Sequence, residues 1–286
     1  MAGIFIVGCQ RSGTSALYDA LSSHPNLIQQ SSQDKRPKGT QKELWFFQEF
    51  FRGRDASPHR PHFPSEIDSE FQQRFARMVD GFCQDRYAVG KNRWISGHPR
   101  DALYIDQILP LFAEGDIHVL YLVRHPQEVA WSSINAPWAG NLSWLARLKE
   151  ARRAARHWGQ FGANAIAARD GRLGPNVKLV WHRDLLINPE AAMRGILEHV
   201  GEDYDERVVS AITKTTNSSF KEKTDSQAKL LQRADEIARH KLFCAAVTSE
   251  VADYMTEFGF EDYGSRSKMG GLYNALSPVW SKKNAS

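Results

Sequence analysis

Cysteine is scarce. Three residues in 286, Cys9, Cys83 and Cys244, are an odd number at unrelated spacings and form neither a disulfide framework nor a zinc signature. A reducing compartment is the expectation. No apolar run approaches the roughly 20 residues that a bilayer span needs. The opening MAGIFIVGCQRSG has neither the basic region nor the small-residue cleavage site of a secretory leader. Both observations point to a cytoplasmic protein with no membrane partner. Charge of one sign is missing too: 37 Lys and Arg against 33 Asp and Glu leave +4. With no long Lys/Arg run, that balance argues against nucleic acid and remains compatible with a small anionic ligand. Internal repeats and low-complexity tracts are also lacking, which excludes solenoids and arrays.

What the chain does have is an ordinary globular composition, 42% apolar and 24% charged, with ample length for a sizeable core. Residues 4–7 (Ile-Phe-Ile-Val) read as a short buried strand. A helix is predicted over 15–23, where Ala16, Leu17, Ala20 and Leu21 recur at helical spacing. Further strands are predicted at 117–123 and 177–181. Further helices carry Phe71, Phe75, Val79 and Phe82 within 66–83, and Ala154, Trp158, Phe161 and Ala165 in the next stripe. Asn188 as N-cap, Pro189 at the first position and Gly201 as stop delimit another. The last helix carries Phe243, Val247, Val251, Tyr254, Met255 and Phe258. Trp158 and Trp181 read as core. Strands alternating with helices predict an α/β fold: three layers of the P-loop type, with a central parallel sheet flanked by helices. The expected organisation is one domain over 1–263, with 27–90 as an insertion over the mouth of the site and 264–286 as a C-terminal arm.

The segment Gly8-Cys9-Gln10-Arg11-Ser12-Gly13-Thr14-Ser15 joins a predicted buried strand to a predicted helix. A loop of this form aims backbone N–H groups and the positive end of the helix at one anion. The nucleoside-triphosphate version has Lys where this chain has Thr14. Its magnesium-holding Asp, at the end of a later strand, is Arg124 here. The cation has moved into the loop at Arg11, and both departures point away from ATP hydrolysis. The loop reads as phosphate binding ahead of an ordinary glycine turn before a helix, with a P-loop kinase and a non-catalytic nucleotide- or anion-binding module as the alternatives. Cys9 beside the loop reads as small-residue packing ahead of an acidified thiol.

Taken together, these residues resemble the sulfotransferases that use 3′-phosphoadenosine 5′-phosphosulfate (PAPS). The family's 5′-phosphosulfate loop, [KR]-S-G-T-[ST], is matched by Arg11-Ser12-Gly13-Thr14-Ser15. Its 3′-phosphate motif, R-[ND]-P-x-[DE]-V-x-x-S, is matched from Arg124 to Ser132, with His125 at the Asn/Asp position. The segment from His98-Pro99 to Ile105-Asp106 is similar to T-P-x-x-L-x-x-I-D of bacterial members. The family's Y-E-D-L reads His182-Arg183-Asp184-Leu185 here, and its lysine before T-P is Gly97. The resemblance covers about residues 4–262 and is weakest over 27–90.

What the resemblance implies is a sulfuryl transfer from PAPS to a hydroxyl, less readily an amine, of a small-molecule or carbohydrate acceptor. Arg11, Ser12, Gly13, Thr14 and Ser15 would bind the 5′ end of the donor, and Arg124 and Ser132 its 3′-phosphate. No metal is expected: the transferred group carries less charge than a phosphoryl group, so fixed donors such as Arg11 suffice. Glu43, in Lys42-Glu43-Leu44-Trp45-Phe46-Phe47, resembles the K-E-x-x-F-F glutamate base and is the first candidate. His98 is the rival, in the part of the chain that corresponds to where cytosolic small-molecule members use a histidine base. Lys42 or Lys91 could take over from the lysine replaced by Gly97. The aromatic run 44–51 reads equally as an acceptor platform and as helix packing.

Overall fold

The computed structural model describes residues 3–28, 68–87, 93–112, 115–136, 139–171, 174–218 and 226–265. In chain order its strands are β1 (Gly3–Gly8), β2 (Leu27–Ile28), β3 (Arg93–Ser96), β4 (Ile117–Val123) and β5 (Val177–Trp181). The helices are α1 (Thr14–Leu21), α2 (Ser69–Tyr87), α3 (Pro126–Ile134), α4 (Trp144–Asp170), α5 (His182–Ile187), α6 (Pro189–His199), α7 (Glu206–Ser218), α8 (Ser226–Ala238) and α9 (Lys241–Glu257). Short 3-10 turns cover Pro99–Leu103 and Tyr263–Ser265, and one helical turn covers Ile105–Ile108. Two compact units result: residues 1–123 with 164–223, and residues 124–163 with 224–286.

The whole sheet lies in the first unit. Its order is β2-β3-β1-β4-β5 and every neighbouring pair is parallel. β1 is buried along its full length, which is why it reads as an unbroken apolar run and shows no alternation. One face presents Ile4, Ile6, Ile95, Leu120, Leu122 and Val180 to Leu17 and Leu21 of α1, Met193 and Ile196 of α6, and Val208 and Ile212 of α7. The other face is aromatic: Phe5 meets Trp94 edge-on at 5.1 Å, and Phe75 of α2 meets Phe112 at 5.2 Å. Helices on both faces of a parallel sheet make three layers, the expected α/β class.

The second unit is helical. Its core gathers Val129 and Ile134 of α3, Trp158 and Phe161 of α4, and Phe243, Val247, Val251 and Met255 of α9. Trp158 is buried, as read from the sequence, and packs edge-on to Phe258 at 5.9 Å; Trp181, expected in the core, is only half-buried. Asn188 caps α6 as anticipated, its side chain accepting from Ala191 N at 3.3 Å. Strands β2 and β3 escape the sequence reading. β2 has two residues, and β3 opens on Arg93 with only Trp94 and Ile95 apolar, too short a run to register. β2 also places Leu27 and Ile28, the start of the expected insertion, in the sheet itself. Among the described residues no helix is long and apolar enough to cross a membrane.

Candidate functional site

β1 ends at Gly8, and the chain must turn at once without leaving the sheet edge. Gly8 (φ +144°) passes so close to β4 that a Cβ would lie 2.5 Å from the Leu122 carbonyl oxygen. Arg11 follows in the left-handed region at φ 74°, a conformation a side-chain-bearing residue adopts at a cost of order 1 kcal/mol. Gly13 (φ +101°) then opens α1, with a Cβ position only 2.8 Å from the His182 ring. A turn bond from Ser12 N to the Cys9 carbonyl (3.1 Å) closes the loop.

The N-cap of α1 is Gly13, which has no side chain to cap the helix, and no acidic residue stands in the helix's first turn. Its leading N–H groups have no partners within the helix, and the positive end of the helix dipole adds to them. Thr14 is buried at that start, while Ser15 and Arg11 are exposed. Ser12 is fully buried, yet its hydroxyl has no hydrogen-bond partner among the described residues. A buried hydroxyl left this way costs roughly 1–3 kcal/mol, so the loop is better suited to holding an acceptor than to standing alone. Cys9 is not an activated thiol. Burial pushes it up to about 12, in line with the packing role.

His98 emerges from β3, the strand beside β1 in the sheet, and so leaves from the same carboxyl edge as the loop. Its Nδ1 is 2.7 Å from Asp101 Oδ1, within one 3-10 turn. With Nδ1–H donating to the carboxylate, Nε2 carries the basic lone pair. The other oxygen, Asp101 Oδ2, is buried with no partner among the described residues. Gly97 explains the missing family lysine: a Cβ there would lie 2.7 Å from Cδ2 of Tyr18 on α1. The Tyr18 ring fills the space a longer side chain would enter.

In the second unit, Arg124 immediately precedes α3 and its Nε donates to Glu128 Oε2 at 2.9 Å. Both side chains are more than nine-tenths buried. Trp158 Nε1 donates to the Arg124 carbonyl at 2.9 Å, fixing the backbone beneath the guanidinium. His125, at the Asn/Asp position of the motif, is the N-cap of α3. Its Nδ1 accepts from Gln127 N at 3.2 Å. Its Nε2 then carries the proton donated to the Glu261 carbonyl, 2.8 Å away. Ser132 is half-buried on α3, one turn beyond Glu128.

The first unit thus holds Arg11, Ser12, Gly13, Thr14, Ser15 and His98, and the second holds Arg124 and Ser132. Glu43, Lys42, Lys91 and the aromatic run 44–51 lie outside the described residues. Sequence reasoning missed three participants. His182 registers there only as a replacement for the family tyrosine, yet it abuts the loop at Gly13. Glu128 lies inside the quoted motif and drew no role there, although Arg124 is one helical turn away, and Tyr263 escaped because its partner Glu128 is distant along the chain.

Against known proteins, a family model described as the sulfotransferase family matches residues 3–206. Among curated proteins, no sequence matches the chain. Among solved structures, the sulfotransferase domain from the curacin biosynthetic pathway is similar at 16% identity, with a TM-score of 0.51 over 74% of this chain and 78% of that one. A sulfotransferase from Alicyclobacillus acidocaldarius is similar at 18% identity and a TM-score of 0.50, covering 91% of this chain and 97% of that one. Sulfotransferase STF9 from Mycobacterium avium is similar at 14% identity and 0.50, over 91% and 77%. At such identities the structural likeness speaks for the fold, and the family match, over well more than half the sequence, speaks for descent. The chain belongs to the sulfotransferase family.

Proposed function

We propose that the chain moves a sulfuryl group from PAPS to a hydroxyl of a small-molecule or carbohydrate acceptor. The family and the fold support sulfotransfer as the activity, and the donor and acceptor are our reading. The observation that carries the donor is the loop: a helix start with a glycine N-cap, an arginine held at φ 74° and a buried Ser12 hydroxyl with no partner among the described residues. These residues fit an anionic group with several acceptor oxygens. When bound, the donor supplies the sulfuryl group and a nucleotide leaving group.

The chain's own residues would do the rest. The N–H groups of Thr14 and Ser15, their hydroxyls, and Arg11 hold negative charge at the 5′ end. Arg124, oriented by Glu128, and Ser132 take the 3′-phosphate, the group that separates this donor from ATP. His98 accepts the acceptor's proton at Nε2, with Asp101 holding the tautomer and stabilising the imidazolium that forms. Glu43 is the competing base and Lys42 its neighbouring cation, both proposed on the motif alone. The cytoplasm is the proposed location, on the ground of few cysteines.

Incubation with PAPS and a panel of alcohols, phenols and sugars, read by mass spectrometry, tests this reading. A sulfated acceptor formed together with 3′-phosphoadenosine 5′-phosphate supports it. Magnesium-dependent phosphorylation from ATP, with PAPS untouched, overturns it in favour of the kinase.

A further inference from the structure

The Arg124 segment is tied along its length to residues more than a hundred positions away. Tyr263 O–H donates to Glu128 Oε1 at 2.9 Å, while Arg124 Nε donates to the other oxygen of that carboxylate, also at 2.9 Å. Gln127, fully buried, donates through Nε2 to Asp262 Oδ1 (2.6 Å) and accepts at Oε1 from Tyr263 N (3.0 Å). His125 stacks on the Tyr263 ring, with centroids 4.0 Å apart and planes 14° from parallel. Residues 261–263 therefore form a strap in which each residue bonds to the segment that carries Arg124.

Burying the Glu128 carboxylate is costly unless both oxygens are satisfied. The division of labour is specific: one oxygen takes Arg124, the other takes Tyr263. The guanidinium meets the carboxylate through Nε and Oε2, while the tyrosine hydroxyl meets Oε1. That pairing sets the plane and direction of the guanidinium. Tyr263 reaches Arg124 through the Glu128 carboxylate.

We propose that Tyr263 is a positioning residue for recognition of the donor's 3′-phosphate, acting through Glu128 on Arg124. The inference rests on the PAPS reading above. Arg233 on α8 belongs to the same neighbourhood. Burial, and then the charge of Arg124, hold its pKa below the usual arginine range, while Glu128 and Tyr263 pull it back.

The test is calorimetric binding of two nucleotides that differ only in the 3′ group, 3′-phosphoadenosine 5′-phosphate and adenosine 5′-phosphate, to wild type and Tyr263→Phe. The substitution removes one oxygen and keeps the ring stacked on His125. Expected is a loss of about tenfold for the bisphosphate with the monophosphate unchanged, the size of one hydrogen bond to a charged group. Glu128→Gln, which keeps the side chain's shape, breaks the relay in its middle and is expected to show the same selective loss. Equal losses for both nucleotides, the mark of a merely structural strap, overturn the inference, as does no loss for either. A wild type that fails to distinguish the nucleotides overturns the donor reading, and this inference with it.

Discussion

His98 and Asp101 share a 2.7 Å hydrogen bond inside a single 3-10 turn at the carboxyl edge of the sheet. Three residues apart, they need no long-range packing to find one another. His98→Ala is expected to lower kcat by about 10²–10⁴-fold, with donor affinity little changed. Asp101→Asn, which disturbs the tautomer and leaves the shape, is expected to fall between the two. Steady-state kinetics on both variants beside Glu43→Ala decide the base: the larger kcat loss identifies it. A His98→Ala variant with wild-type turnover removes His98 from the chemistry.

Ser12 offers a separation of stability from binding. Its buried hydroxyl has no protein partner among the described residues, so Ser12→Ala is expected to leave the melting temperature unchanged or slightly raised. The same variant is expected to bind 3′-phosphoadenosine 5′-phosphate roughly tenfold more weakly, through the loss of one charge-assisted hydrogen bond. Unaltered affinity would mean that the hydroxyl does not face the ligand.

Gly97 and Tyr18 are expected to be coupled. Gly97→Ala drives a methyl group into the Tyr18 ring, at a cost of about 1–3 kcal/mol. Tyr18→Ala alone leaves a cavity. Together the two should cost clearly less than the sum of the singles in denaturant melts. Strict additivity would show that the ring is not what excludes a side chain at position 97.

His118, on the half-buried flank of β4, has a pKa lowered to about 4 by burial, then by His199 and Arg93. Its folded pKa lies below the unfolded value of 6.5, so between these limits the unfolded chain binds the extra proton. Stability from this residue is therefore full above pH 6.5 and lost as pH falls towards 4. Solvent screening keeps the loss to roughly 1–2 kcal/mol. His118→Gln is expected to flatten the decline of the melting temperature over that window; an unchanged slope contradicts the assignment.

Much of this was legible in the chain because it is local. The apolar run before Gly8 and the Asn188-Pro189 start of a helix each declare themselves within a few residues. The same is true of Arg11 through Ser15, where φ demands and helix start coincide. What stayed hidden depends on distant partners. Nothing around Tyr263 announces that its hydroxyl meets Glu128, and nothing near Gly97 announces the ring of Tyr18. β3 was hidden for a different reason: four residues with a leading arginine carry too little periodicity. His125 shows the limit of motif reading, since an imidazole nitrogen can cap a helix as Asn or Asp would.

Calorimetry of 3′-phosphoadenosine 5′-phosphate against ATP with magnesium, on wild type and Arg124→Ala, tests the central claim most directly. The expected result is tight, metal-independent binding of the bisphosphate, weakened at least a hundredfold in Arg124→Ala, since a bidentate arginine–phosphate contact contributes roughly 3 kcal/mol. Preference for ATP with magnesium, or indifference to Arg124, would contradict a PAPS-dependent sulfotransferase.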